Sequence, residues 1–258
     1  MTLVPKTIHF IYPVWENTRP LSYVNEVAVR LARKHHPDYQ IKFWLSGTPT
    51  PNQHWEAIQE LVEIHPYEAY THWNGEKVEW PQYSSDISRL DILRREGGIY
   101  MDTDMLCLKP LDHWLGDKLV MCWEDFTHKS ICNAMIISPP GNRFLEHWLI
   151  GIGDAMKGGV WADGGVLLPA RIWYSSRGKF SDTVDIIGSK YFCPFDLSAQ
   201  LLFENARVKM ALDKVSESYA IHVFETYWRN VVKDITPDWC RENDCLFSRI
   251  VKDNGFLD

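Results

Sequence analysis

Apolar positions along the chain switch repeatedly between strand-like runs and helical spacing. Thr7 to Ile11 is a short run of β-branched and aromatic residues and predicts a buried first strand. Val24, Val27, Ala28 and Leu31 recur at helical spacing and predict a helix over about Ser22 to Lys34, with a strand at Gln40 to Leu45 after it. Strand, helix, strand in that order is a βαβ unit and points to an α/β protein with a parallel sheet. A second helix is expected over Trp55 to Ile64, ending before Pro66, followed by an aromatic, irregular stretch from 65 to 83. Further on, strands are expected near Leu119 to Trp123 and Asn133 to Ser138. A turn at Pro139-Pro140-Gly141 and a helix from Asn142 to about Met156 complete this part. Lys157 to Gly165 holds four glycines around Trp161-Ala162-Asp163 and reads either as a loop lining a site or as a plain connector.

The segment between these parts carries the chemistry. Ile87, Leu90 and Leu93 have helical spacing, Ser84 and Ser85 are placed to cap the start, and Gly97-Gly98 stops the helix where a residue without Cβ is wanted. Asp86 and Arg89 then share one helix face. A short apolar strand follows and ends in Asp102 and Asp104. Two carboxylates so spaced are hard oxygen ligands suited to Mg²⁺ or Mn²⁺, ions that take one or two protein carboxylates and fill their shell with water and phosphates. Taken alone, Asp-x-Asp also reads as a solvated turn. Asp86 and Arg89, likewise, also read as a surface ion pair worth about 0.3–0.5 kcal/mol.

The combination is more specific than its parts. Ser85-Asp86-Ile87-Ser88-Arg89 followed by Gly97-Gly98-Ile99-Tyr100-Met101-Asp102-Thr103-Asp104-Met105 resembles the glycosyltransferases whose sugar-binding region carries a DXD motif, glycosyltransferase family 32. Fungal initiating mannosyltransferases and bacterial capsule enzymes belong to that family, and the large glucosylating toxins resemble it more distantly. Val4-Pro5-Lys6-Thr7-Ile8-His9-Phe10-Ile11-Tyr12 is similar to the family's first strand, with Tyr12 where Trp is usual. Tyr219-Ala220-Ile221-His222 through Trp228 is similar to its late His-to-Trp element.

The resemblance implies a GT-A type, Rossmann-like α/β fold with a mixed central sheet, and a metal-dependent, retaining hexosyl transfer from a UDP- or GDP-sugar to a glycan or lipid-linked acceptor. It implies Mn²⁺ or Mg²⁺ at Asp102 and Asp104 with His222. It also implies donor contacts from Ile11, Tyr12, Asp86, Arg89, Tyr100, Asp102 and Trp228, with Asp102, Asp104 and Arg89 central to catalysis. His9, inside the first strand, is expected to be structural. Glu124-Asp125, Asn133-Ala134 and Asp163 are further residues that could face the reacting centre. The competing readings are an aspartate-dependent phosphatase, a nucleotide-sugar hydrolase and an inactive glycan-binding relative. The phosphatase pattern places its motif after the first strand with Gly-Thr following, whereas Met105-Leu106 follows here.

Composition narrows the classes further. The 258 residues, 45% apolar, suit one α/β domain, read as 1–258 with residues 229–258 as a C-terminal helical extension. Lys and Arg number 27 against 34 Asp and Glu, a net charge of -7, so nothing favours nucleic acid as a partner. No apolar run reaches the roughly 18 residues of a membrane-spanning helix, and the start lacks a signal-peptide pattern, so the expectation is a cytoplasmic protein. The six cysteines form no C-x-x-C pair; they read as reduced core residues, with a Cys240–Cys245 disulfide as the alternative and no zinc constellation.

Overall fold

A computed structural model describes residues 2–15, 18–158, 160 and 162–257. Trp161, part of the glycine-rich segment noted above, lies outside them. The elements in chain order are β1 (Thr7–Tyr12), α1 (Tyr23–His35), β2 (Gln40–Leu45), α2 (Gln53–Ile58), β3 (Glu63–Pro66), β4 (His72–Trp73), β5 (Glu76–Lys77), α3 (Pro81–Glu96), β6 (Gly98–Met101) and β7 (Met105–Cys107). Then come β8 (Leu119–Trp123), β9 (Ile131–Ser138), α4 (Arg143–Lys157), α5 (Leu168–Phe180), β10 (Val184–Ile187), α6 (Val208–Val215), β11 (Ala220–His222), α7 (Glu225–Val232), α8 (Pro237–Glu242) and α9 (Leu246–Asn254).

Seven strands form the central sheet in the order β10-β8-β9-β6-β1-β2-β3. β9 is antiparallel to both neighbours and every other pairing is parallel, so the sheet is mixed, as expected. Alternation along the strands divides the core into two layers. Ile8, Phe10, Ile99 and Met101 pack with α1 and α9, whereas Ile11 and Tyr100 pack with α3 and α4. Leu246, Phe247, Ile250 and Val251 of α9 join the same apolar cluster as β1 and α1. His9 is fully buried between the layers and structural, donating from Nε2 to Gly97 O at 2.9 Å and accepting from Trp44 Nε1 at 3.1 Å.

Three expectations need correction. α2 covers Gln53–Ile58 rather than Trp55 to Ile64: Asn52 caps it, accepting from Trp55 N at 2.9 Å, and the Ile64 segment leaves to become edge strand β3 beside β2. Its apolar spacing suits a half-covered strand as well as a helix. Residues 65–83 contain a hairpin, β4–β5, whose turn places Asn74 at φ 50° and Gly75 at φ 84°, a use of Asn-Gly that sequence inspection missed. Finally, α3 starts at Pro81, which is pre-organised for a first helical position, so Ser84 and Ser85 lie inside the helix and not at its cap.

Gly97 and Gly98 end α3 as expected, at φ 68° and 106°. A Cβ on Gly98 would stand 2.7 Å from Thr7 O and 2.8 Å from His9 Nε2, so α3, β6 and β1 close on one another only because this position has no side chain. Gly98→Ala should therefore cost about 2–5 kcal/mol, the combined scale of a left-handed backbone and core overpacking. Urea denaturation checks this, and a loss under about 1 kcal/mol would mean the three elements relax without strain.

Candidate active site

A cleft of about 400 Å³ opens at the C-terminal ends of β1 and β6, bounded by α3, the start of β9 and the segment from β11 into α7. This is the edge at which α/β sheets bind ligands. Ile11, Tyr12, Asp86, Arg89, Tyr100, Asp102, Asp104 and His222 all line it. Eight of the nine residues nominated from the sequence thus meet in one place; Trp228 does not line the cleft but packs against the core, its indole N–H buried and without a hydrogen-bond partner among the described residues.

Every residue of α3 from Tyr83 to Leu93 is buried, so its polar face points into protein rather than solvent. Arg89 accordingly makes far more than a surface ion pair. Its Nη2 stands 3.3 Å from Asp86 Oδ1, and its Nη1 3.3 Å from Asp102 Oδ1 while donating to Asn133 O at 2.9 Å. Nε and Nη2 donate to the backbone carbonyl and hydroxyl of Ser85, and the guanidinium lies 4.5 Å from the Tyr100 ring centre. The Tyr100 hydroxyl donates to Asp102 Oδ1. Burial pushes the Asp86 carboxyl up to about 6 although Arg89 opposes it; Asn133 Nδ2 donates to its Oδ1 at 2.8 Å.

Asp102 and Asp104 lie just past β6, where Met105 N returns to Asp102 O at 3.0 Å in a tight turn. β11 pairs with β7 so that His222 sits opposite Met105, and this carries His222 Nε2 to 3.5 Å from Asp104 Oδ1 and 3.9 Å from Asp102 Oδ2. Asp104 Oδ2 accepts from Glu225 N at 2.8 Å. Burial raises the pKa of both aspartates; at Asp104 the facing His222 and the Glu225 amide outweigh it and hold the group below the carboxylate range, while Asp102 stays above it. Burial disfavours charge on His222 too, yet Asp104 holds its pKa well above the usual imidazole value. Ligand atoms of Asp102, Asp104 and His222 lie within 4.8 Å of one another, a geometry able to hold a divalent cation.

Other nominations divide. Glu124 and Asn133 line the cleft. Asp125 instead caps its own loop, accepting from Thr127 N at 2.7 Å, and Asp163 is drawn into an ion pair with Arg171. The glycine-rich segment ends in a π-helical turn, Asp163–Leu167, whose Gly165 lies so close to Asp86 that a Cβ would stand 2.7 Å from Oδ2. One supporting residue escaped sequence inspection. Asn25 donates from Nδ2 to Thr103 O at 3.1 Å and to Glu225 Oε2 at 2.7 Å, tying α1 to the aspartate turn and to α7. Its only sequence signal is its place in the capping box with Ser22. The Tyr12 ring is half-buried against Phe43, with its hydroxyl donating to Arg19 O.

Residues 24–121 match the family model described as glycosyltransferase sugar-binding region containing DXD motif. The chain is 24% identical to glucan organizing enzyme 1 of Cryptococcus neoformans over 97% of its own length and 70% of that protein. Over 33% of the chain, and 32% of the relative, it is 30% identical to human alpha-1,4-N-acetylglucosaminyltransferase. Among solved structures the PaToxG glycosyltransferase superposes with a TM-score of 0.54 at 18% identity, covering 85% of this chain and 90% of that one, which supports the GT-A type fold. No helix among the described residues is long and apolar enough to cross a membrane.

Two outcomes follow from the charge arrangement. Arg89→Ala removes the guanidinium that both buried carboxylates, Asp86 and Asp102, face, so the metal-free protein should lose about 3–5 kcal/mol in urea denaturation; a near-neutral result would mean that solvent reaches both carboxylates. The second concerns Glu124, which burial pushes from 4.5 up to about 7. Its folded pKa exceeds the unfolded one, so the native state holds the extra proton between these values, and stability falls as pH rises through about 4.5 to 7. Metal-free protein should be more stable at pH 5 than at pH 8, and Glu124→Gln should shrink the difference by ~3 kcal/mol at most. An unaltered difference in Glu124→Gln would assign the proton to another group.

Proposed function

We propose, from the match of residues 24–121 to the glycosyltransferases with a DXD sugar-binding region, that the chain moves a hexose from a UDP- or GDP-sugar to a glycan or lipid-linked acceptor with Mn²⁺ or Mg²⁺ as cofactor. The observation that carries this reading is the convergence of Asp102, Asp104 and His222 within 4.8 Å in the cleft. The charges of the lining point the same way. Asp86, Asp102, Asp104, Glu124 and Glu225 face the cleft against Arg19 and Arg89, so an anionic diphosphate is repelled unless a cation accompanies it. Hard carboxylate oxygens with one imidazole fit such an ion, which when bound supplies Lewis-acid stabilisation of the leaving diphosphate.

The protein's own groups then bind and orient. Tyr12 and Ile11, at the end of β1, offer a flat and an apolar surface to the nucleobase. Asp86 faces the sugar hydroxyls, fixed by Asn133 and Arg89. Arg89 and the Tyr100 hydroxyl hold Asp102 Oδ1, which leaves Oδ2 turned toward His222 and the cation position. The Glu225 amide does the same for Asp104, occupying Oδ2 and leaving Oδ1 turned toward His222. Retention at the anomeric carbon rests on the resemblance of the Ser85–Met105 block alone. We read residues 1–258 as one catalytic domain in which 229–258 form a helical extension.

Donor hydrolysis or transfer should require Mn²⁺ or Mg²⁺ and vanish in chelator. Asp104→Asn should lower kcat by about 10³, the equivalent of several kcal/mol of Lewis-acid stabilisation. Full turnover in chelator would exclude the metal. Tyr12→Ala should weaken the nucleoside diphosphate by roughly 1–3 kcal/mol on the scale of base stacking, with Tyr12→Trp tolerated, as read by calorimetric titration in Mn²⁺. Unchanged binding in folded Tyr12→Ala would move the base to another surface.

A further inference from the structure

No cysteine spacing in the chain suggests a metal site, yet folding assembles one. Cys132 on β9, Cys193 after the turn at Ser189–Tyr191 and His222 at the end of β11 bring their ligand atoms within 4.8 Å of one another. Both thiols are free and buried, and Cys132 Sγ lies 3.9 Å from His222 Nδ1. The opposite ring nitrogen, Nε2, is the one that faces Asp104 Oδ1 at 3.5 Å. One imidazole therefore stands between a hard carboxylate pair and a soft thiol pair.

We propose that Cys132, Cys193 and His222 Nδ1 form a binding site for a thiophilic divalent cation, Zn²⁺ or Cd²⁺, and that filling it disables the carboxylate cation site. Two sulfurs and one imidazole nitrogen are the donors that borderline and soft ions select over carboxylates, with the fourth tetrahedral position left to water. Zn–S and Zn–N bond lengths place ligand atoms about 3.5–3.8 Å apart in a tetrahedron, so the cluster needs only a small contraction. Two thiolates neutralise the ion, which makes the assembly compatible with burial. Binding releases to solvent the two thiol protons and the Nδ1 proton of the imidazole that Asp104 favours in its charged form.

The antagonism follows from the imidazole. Neutral histidine has one lone pair and one N–H. When Nδ1 gives its lone pair to the soft ion, the ring proton resides on Nε2, aimed at Asp104, and Nε2 no longer accepts a cation. The thiol site stands on its own geometry, whereas the antagonism rests on the cation role proposed above for Asp102, Asp104 and His222.

Cadmium titration of the chelator-treated full chain, followed by thiolate-to-metal ultraviolet absorption, tests the site. One equivalent should bind in the wild type and in Asp104→Asn. The band should be lost in Cys132→Ser and in Cys193→Ser, with near-ultraviolet circular dichroism reporting the fold; should Cys132→Ser fail to fold, Cys193→Ala carries the test. Absence of the band in the wild type, or its persistence in a folded cysteine variant, overturns the proposal. Paramagnetic resonance of Mn²⁺ then reads the coupling: Mn²⁺ affinity should fall at least about tenfold in the Cd²⁺-loaded protein, a coupling of about 1.4 kcal/mol. Equal Mn²⁺ affinity with and without Cd²⁺ overturns the antagonism. A cadmium-free protein that binds no Mn²⁺ at all refutes the cation role of the carboxylates instead, while the thiolate band still decides the soft site.

Discussion

Arg89, sealed between Asp86 and Asp102, is the constraint around which the cleft is organised. A buried guanidinium is tolerated only when its charge and most of its donors are met, and here they are met by two carboxylates, the Ser85 carbonyl and hydroxyl, and the Asn133 carbonyl. Those partners come from α3, from the end of β6 and from the start of β9. Satisfying one side chain thus fixes where a helix, a parallel strand and the antiparallel strand meet. The close approach also depends on backbone, because Gly98 lets β6 lie against Thr7 and His9, and Gly165 lets the π-helical turn lie against Asp86.

The second half of the site arrives from far along the chain. β11 pairs with β7, the strand that follows the aspartates, and the pairing sets His222 opposite Met105. The backbone then turns through Phe224 at φ 56°, a left-handed conformation uncommon for an aromatic residue, so that the first amide of α7 reaches Asp104 Oδ2. Asn25 joins this segment to α1 through Glu225. Strain at one residue is held by hydrogen bonds on both sides, the pattern expected of a positioned functional segment.

Placing His222 between carboxylates and thiols has an energetic logic. Burial disfavours charge on Asp102, on Asp104 and on the imidazole alike; the attraction between Asp104 and His222 outweighs that cost for the pair, while Asp102, beside a second carboxylate, stays raised. The same proximity makes the chemistry of the two faces interdependent, because a single ring cannot donate its lone pair in both directions. In physical terms the hard and soft clusters are alternatives for one ligand.

Periodicity and punctuation along the chain determined much of this protein. β1, α1, β2, β8, β9 and α4 follow from local apolar spacing and caps, and Gly97-Gly98 announced the end of α3, since these signals depend only on neighbouring residues. The family resemblance of the block from Ser85 to Met105 named Asp86, Arg89, Tyr100, Asp102 and Asp104, residues that one helix and one strand present together. Only the tertiary structure decided that α3 is buried on all sides from Tyr83 to Leu93, that Ile64 belongs to an edge strand, that Asp163 turns to Arg171 and that Trp228 stands off the cleft. Each of these is set by what packs against the element, which local pattern does not encode. The thiol cluster is the extreme case: Cys132, Cys193 and His222 are scattered through the sequence, and only the sheet and the β7–β11 pairing make them neighbours.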